Sequence, residues 1–183
     1  MTKTQLEKKS RRNQWIVGIL LMALMLFSTA GYALNNNSKT TKTDVVDYRG
    51  TKFVKSDSYW YFNAEAQSLI ARYNPEETKN ISFELKRGLS DYKDKPLYFV
   101  NGNAAAQMAV VNLQNYYLRY QEACINSQNC SSELPVKTCN DNVIIYQMSN
   151  ETKVWQNNRC VYISGDFIKG TDAFLYRLFG VTS

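Results

Sequence analysis

Four cysteines carry the clearest chemical signal in the sequence: Cys124, Cys130, Cys139 and Cys160. An even number of cysteines is typical of disulfides in a protein of an oxidising compartment. Zinc sites usually contain C-x2-4-C pairs and redox centres a C-x-x-C pair, whereas five, eight and twenty residues separate these cysteines. The spacing therefore predicts two disulfides. Of three possible pairings we favour Cys124–Cys130, closing a short loop, with Cys139–Cys160, joining the starts of two strands.

Other side chains offer little catalytic chemistry. The chain has no histidine, which excludes histidine-ligated zinc and nucleophiles activated by histidine. Glu76 and Glu77 are adjacent, so on a helix they point in different directions and make a poor acid–base pair. Asp91 and Asp94 lie among lysines, as in a solvated loop. We therefore predict no catalytic, cofactor-binding or metal-binding residue, and no cofactor.

Four asparagines stand in N-x-S/T sequons: Asn36, Asn80, Asn129 and Asn150. Each is a candidate glycosylation site if this part of the chain is exported. Asn150 is the best placed of them, because it lies in a predicted turn.

Basic residues concentrate near the N-terminus. The first 34 residues hold five lysines or arginines and one glutamate, and the remainder holds 17 basic and 15 acidic residues. The net charge of +6 therefore comes mostly from the basic residues that flank one segment and does not indicate a surface for nucleic acid. We predict no nucleic-acid partner.

Residues 15–34 contain no charged side chain. A helix of this length spans about 30 Å, the thickness of the hydrocarbon core of a bilayer. The basic residues before it predict a cytoplasmic tip at 1–14, a transmembrane helix at 15–34 that contacts the lipid bilayer, and an extracytoplasmic chain from residue 35 onward. The alternative is a signal peptide cleaved after Ala30 or Ala33, which would release a secreted domain.

Residues 35–43 are polar and predict a linker, followed by an exported domain at 44–183. Strands are predicted at 45–48 and 51–54 around an Arg49-Gly50 turn, and at 58–62. Residues 67–73 suit either a strand or a short helix, and we favour the strand. Pro75 begins a helical turn with Glu76 and Glu77.

The second half predicts a strand at 97–100, capping residues at 101–103 and one long amphipathic helix at 104–123. That helix has an apolar stripe and an opposite polar face that includes Asn112. Strands at 143–148, 153–156 and 160–164 predict a meander, and 171–179 a short C-terminal helix. The fold class is therefore α+β: an N-terminal transmembrane helix, then a small exported domain of short antiparallel strands and two helices.

Several blocks of the sequence look familiar: PVKTCNDNVIIY, NNRCVYISG and TDAFLYRLFGV, together with YNPEE and STAGYAL. In these blocks the chain resembles small, uncharacterised single-span envelope proteins of archaea. The resemblance implies a membrane-anchored, exported domain that bears disulfides. It implies no activity and no functional residue.

Two functions fit these features. The first is a membrane-anchored extracytoplasmic binding or structural module of the cell envelope, with another envelope protein or a glycan as partner. The second is an exported carboxylate-dependent hydrolase acting on glycans or peptides. A hydrolase would require a deep cleft in which two acidic groups from different segments face each other.

Overall fold

The structure, a computed structural model, describes residues 17–26, 44–102, 104–125 and 130–182. The chain divides into two units, Met1–Lys42 and Thr43–Ser183. Residues 17–26 of the first unit form helix α1. Within the described ranges, no helix is long and apolar enough to cross a membrane. The predicted span at 15–34 continues beyond α1 into residues outside those ranges, as do the whole of 1–14 and 35–43, so the anchor stays a prediction.

The second unit begins with a four-stranded antiparallel sheet in which neighbouring strands are consecutive in the chain. Its strands are β1 (Val45–Tyr48), β2 (Thr51–Ser56), β3 (Tyr59–Ala64) and β4 (Gln67–Ala71). The predicted Arg49-Gly50 turn is confirmed: both residues have positive φ, 51° and 82°, as a tight hairpin turn requires. The preference for a strand at β4 is also confirmed.

The rest of the unit builds a six-stranded mixed sheet with helices beside it. Its elements are α2 (Pro75–Thr78), β5 (Ser82–Glu84), a 3-10 turn (Leu89–Asp91), β6 (Lys95–Val100), α3 (Ala104–Leu113), β7 (Tyr117–Glu122), β8 (Asn142–Gln147), β9 (Lys153–Asn157), β10 (Cys160–Ser164) and α4 (Phe167–Leu178). The strand order is β5-β9-β10-β8-β6-β7. The α+β class is thus confirmed, although the sheet is not purely antiparallel.

The prediction of one helix across 104–123 is wrong. The helix ends at Leu113, and β7 then pairs parallel with β6. The apolar stripe was continued by Tyr117 and Tyr120, but aromatic residues pack equally well on a strand. The result is a strand–helix–strand unit, β6-α3-β7, in which α3 is the crossover that a parallel pair needs.

The predicted meander is also wrong in its order. Strand β9 does not return beside β8, because β10 lies between them, antiparallel to β9 and parallel to β8. Consequently β6, β7, β8 and β10 all run in the same direction, and their carboxyl ends meet at one edge of the sheet.

The main core lies between the two sheets and the helices α3 and α4. Helix α4 starts a turn earlier than predicted, since the side chain of Asp166 accepts a hydrogen bond from the Lys169 amide and caps it. Gly170 lets this helix lie close on β10: a Cβ at this position would stand 2.5 Å from Cγ2 of Ile163. The packing of α4 on the sheet therefore depends on a residue without a side chain.

Asn112, predicted on the polar face, is buried. The side-chain amide of Asn112 forms hydrogen bonds with both backbone groups of Ile70 on β4. Its oxygen accepts from the Ile70 amide at 2.9 Å, and its nitrogen donates to the Ile70 carbonyl at 2.8 Å. A helix side chain thus occupies the free edge of the four-stranded sheet, where another strand could otherwise pair.

Candidate ligand-binding groove

The six-stranded sheet has two different faces. One contributes to the main core, and the other carries a second, smaller apolar cluster that includes Tyr98, Val143, Ile145 and Cys160. We call this second side the outer face. It faces the disulfide-bearing segment that connects β7 to β8, so the crossover helix and this connection lie on opposite sides of the sheet.

Two disulfides hold that segment. Cys124 is bonded to Cys130 with the Cα atoms 5.9 Å apart, and Cys139 to Cys160 with the Cα atoms 4.9 Å apart. The prediction of disulfide bonds is thereby confirmed, in the pairing that we favoured. Backbone hydrogen bonds add to them: the Cys124 amide donates to Pro135, and the Lys137 amide donates to the Cys124 carbonyl.

An open groove of about 770 Å³ lies between this segment and the carboxyl ends of the parallel strands. Ligand sites commonly measure roughly 300–1,000 Å³, and in sheets with parallel strands they tend to lie at the carboxyl ends. Val100, Ile145 and Gln147 line it from the ends of β6 and β8, and Ser131 and Leu134 from the disulfide segment. The groove therefore has the position and the size of a binding site.

One cross-strand row leads across the outer face into the groove. Glu84 pairs with Trp155, Trp155 with Tyr162, Tyr162 with Ile145, and Ile145 with Val100. Residues directly opposite each other on neighbouring strands share a face, so all five stand on the outer side. The row ends at the groove wall.

Tyr162 forms an aromatic wall of the groove. The Trp155 indole stacks on it with ring centroids 5.1 Å apart and planes 7° apart. Trp155 covers one side of the phenol ring, and Tyr162 lines the groove. The phenol oxygen lies 3.6 Å from Sγ of Cys139, so a disulfide also fixes the ring.

Polar groups surround this wall, but charge is scarce. Among the thirteen described residues that line the groove, only Glu122 is charged. Asn101 and Gln147 contribute amides, and the Asn101 amide donates to the Tyr146 carbonyl at 3.3 Å. Gly102 is needed for the tight connection from β6 to α3, because a Cβ there would lie 2.8 Å from that of Ala106. The groove thus offers neutral donors and acceptors with one carboxylate.

A smaller groove of about 170 Å³ adjoins the first one between α3 and β7. The two share Phe99, Gly102 and Glu122, and Tyr120 and Gln107 line the smaller one. Tyr120 lies on the edge strand, with its ring edge-on to Phe99 at 6.5 Å. Tyr120 pairs with Leu97 of the main core, so the smaller groove lies on the α3 side of the sheet, and Tyr120 and Tyr162 lie on opposite faces.

Three of the four carboxylates considered in the sequence, Glu76, Glu77 and Asp91, make local contacts in the structure. Glu77 and Asn74 form a capping box at α2, and Glu76 pairs with Lys79 at 3.3 Å on the surface. Asp91 pairs with Arg87 at 2.9 Å and accepts from the Gly88 amide. Of the sequons, Asn80 and Asn150 are exposed, whereas Asn36 and Asn129 lie outside the described residues.

One buried carboxylate, that of Asp172, is not predicted from the sequence. Oδ2 of Asp172 accepts from the backbone amides of Arg72 and Tyr73, both at 2.8 Å, and Oδ1 is buried with no partner. Burial raises the pKa of this carboxyl most, the two backbone amides lower it, and the nearby charges of Asp166 and Glu77 raise it; the resulting pKa is about 7. The Asp172 carboxylate therefore connects α4 to the backbone that directly follows β4.

No arrangement of three or more Asp, Glu, Cys or His residues in the described part of the chain is suited to hold a metal ion. No protein-family model, curated protein or solved structure matches the chain.

None of the residues that line the groove is predicted from the sequence as part of a binding site, although Cys124 is predicted as a disulfide cysteine. Tyr162 and Gln147 were assigned to the correct strands, but the error in strand order concealed that β6, β8 and β10 end side by side. Glu122 and Tyr120 were assigned to a helix. The one available signal was the aromatic content of strands 153–156 and 160–164, which places Trp155 and Tyr162 on one face if the two strands pair.

Proposed function

We propose that this chain is an extracytoplasmic binding module of the cell envelope, anchored to the membrane by residues 15–34, and that the groove at the carboxyl ends of β6, β8 and β10 is its binding site. The groove is the observation that carries the proposal. Its size, its aromatic wall and its neutral amides are typical of a site that binds a ligand.

The compartment is supported by the cysteines. All four form disulfides, and the described chain has no free thiol. Disulfides persist in oxidising environments outside the cytoplasm and are rare within it. They also brace the segment that forms one side of the groove, so ligand binding would depend on bonds that form in the oxidising compartment after export.

The hydrolase alternative has less support. It requires two facing carboxylates, and Glu122 is the one carboxylate among the described lining residues. The acids that do lie near one another, Asp166, Asp172 and Glu77, accept backbone hydrogen bonds at the ends of helices and at the β4 exit. Their arrangement serves the fold.

The experiment is site-specific photo-crosslinking in intact cells. A photoreactive amino acid replaces Gln147, which is exposed at the groove, and in a control replaces Ser68, which is exposed on the four-stranded sheet. We expect an adduct from position 147, located by mass spectrometry, and none from position 68. Equal labelling at both positions, or none at 147, would refute the groove as a binding site.

The anchor is tested separately by the intact mass of the protein from the membrane fraction, alkylated without reduction. A full-length mass that lacks four hydrogens and carries no alkyl group is expected. A mass that begins at Gly31 or Leu34 would show a cleaved signal peptide instead.

A further inference from the structure

We infer that the ligand of the groove is a neutral oligosaccharide. This inference rests on the proposed function and names the chemistry of the ligand. A sugar ring has apolar C–H faces and a rim of hydroxyl groups that donate and accept hydrogen bonds. A complementary site needs an aromatic face for the ring and amides or carboxylates for the rim.

The described residues supply both. The phenol of Tyr162, backed by Trp155, provides a flat apolar wall held in place from behind. Ile145 and Val100 continue the apolar surface along the same row. Gln147 and Asn101 present amides around it. A rigid ring loses little conformational freedom when a ligand stacks on it, which favours this wall over a flexible aliphatic one.

Charge argues against ionic ligands. Glu122 is the single charged residue among the described residues that line the groove, so these residues offer no basic side chain of the kind that carboxylate or phosphate groups would need. One carboxylate suits hydroxyl groups, since it accepts hydrogen bonds from two of them at once. The negative groups of a uronic-acid polymer or a nucleic acid would meet the negative charge of this carboxylate, with no basic side chain among the described lining residues to pair with them.

The size of the groove argues for a chain of sugars over a single one. Its volume of about 770 Å³ lies in the upper part of the range of roughly 300–1,000 Å³ that ligand sites commonly have. This volume leaves room for successive rings of one chain. Affinity should therefore increase with the number of sugar units.

The test is isothermal titration of the full-length chain in lipid nanodiscs, which avoids sugar-based detergents. The probes are the hexasaccharides of β-1,4-glucose, β-1,4-N-acetylglucosamine and α-mannose, each compared with its monosaccharide. Hexagalacturonate and hexalysine serve as acidic and basic probes. We expect at least one neutral hexasaccharide to bind with a Kd below about 1 mM, and its monosaccharide to bind at least about tenfold more weakly.

Variants locate the binding. Tyr162→Leu should raise the Kd about tenfold, the change expected when one aromatic stacking contact is lost. Gln147→Leu, which leaves the aromatic packing intact, should raise it severalfold and so covers the case in which Tyr162→Leu fails to fold. Tyr61→Leu removes an exposed tyrosine from the other sheet and should change nothing.

The two experiments distinguish a groove that does not bind saccharides from a groove that binds no ligand at all. If no neutral hexasaccharide binds, the assignment is overturned, and the crosslinking at position 147 decides separately whether the groove binds anything. If hexalysine or hexagalacturonate binds instead and Gln147→Leu weakens it, the site stands with a different ligand. Saccharide binding that responds to none of the groove variants would also overturn the inference.

Discussion

The Asp172 carboxyl should make the stability of the domain depend on pH in the direction opposite to that of most aspartates. The side chain is wholly buried in α4, with one oxygen bonded to two backbone amides and the other unpartnered. Its pKa is raised from 3.8 to about 7, chiefly by burial. The perturbation that isolates this group is Asp172→Asn, which keeps its shape and removes its ionisation.

The magnitude follows from linkage. Below about pH 4 the carboxyl is protonated in both the folded and the unfolded chain, and ionisation costs nothing. As pH rises through the interval from about 4 to about 7, the unfolded chain loses its proton first, so the folded state loses stability. A difference of about three pKa units corresponds to about 4 kcal/mol of unfolding free energy lost by pH 7.

Urea unfolding of the disulfide-intact full-length chain, followed by tryptophan fluorescence at several pH values between 4 and 8, measures this. The stability of Asp172→Asn relative to the wild type should rise across that interval by up to about 4 kcal/mol and then level off. Asp57→Asn, which removes an exposed carboxylate from the β2–β3 turn, is the matched control. If the curves of Asp172→Asn and the wild type stay parallel, the buried carboxyl ionises without penalty and the reasoning is wrong.

Four further variants test the disulfides and the packing described above by urea unfolding. Replacing Cys139 and Cys160 by serine should lower the unfolding free energy by about 3 kcal/mol, and replacing Cys124 and Cys130 by about 2 kcal/mol, because the first bridge closes a longer loop; the opposite order would contradict the loop-length argument. Asn112→Ala should lower the unfolding free energy by about 2–3 kcal/mol and accelerate hydrogen exchange at the Ile70 amide, because both backbone groups of Ile70 lose a partner. Unchanged exchange would show that Asn112 does not protect the β4 edge. Gly170→Ala should lower the unfolding free energy by about 1–3 kcal/mol through overpacking against Ile163. Gly88→Ala, where a Cβ meets open space, is the control and should have little effect. Equal effects of the two variants would count against close packing of α4.

Local chemistry explains which parts of the fold were predictable. The β1–β2 hairpin follows from a turn of Arg49 and Gly50 between two alternating strands. The helical turn at Pro75 follows from Asn74, Pro75 and the acidic residues behind them, which form a capping box in the structure. The disulfides follow from number and spacing. In each case the residues that decide the structure lie within a few positions of one another, or share a rare chemistry.

The failures have a common cause in pairing between distant segments. The run from Tyr117 to Glu122 satisfies a helical stripe, and only the presence of β6 makes it a strand. The place of β10 between β8 and β9 is equally invisible along the chain, because each strand alone suits either order. Asn112 and Asp172 were missed for the same reason: their partners, Ile70 and the Arg72–Tyr73 backbone, are 42 and about 100 residues away.

The position of β10 has a consequence for how the protein reaches its folded state. This strand lies between β8 and β9, so those two strands are not joined into one sheet until nearly the last segment of the chain has emerged. Cys139 likewise cannot form its disulfide before Cys160 has emerged, and α4 follows β10 in the chain. If the chain is exported as proposed, its six-stranded sheet would therefore remain incomplete until late in the passage across the membrane. Its unpaired strands and its reduced Cys139 would be exposed to chaperones and oxidants meanwhile.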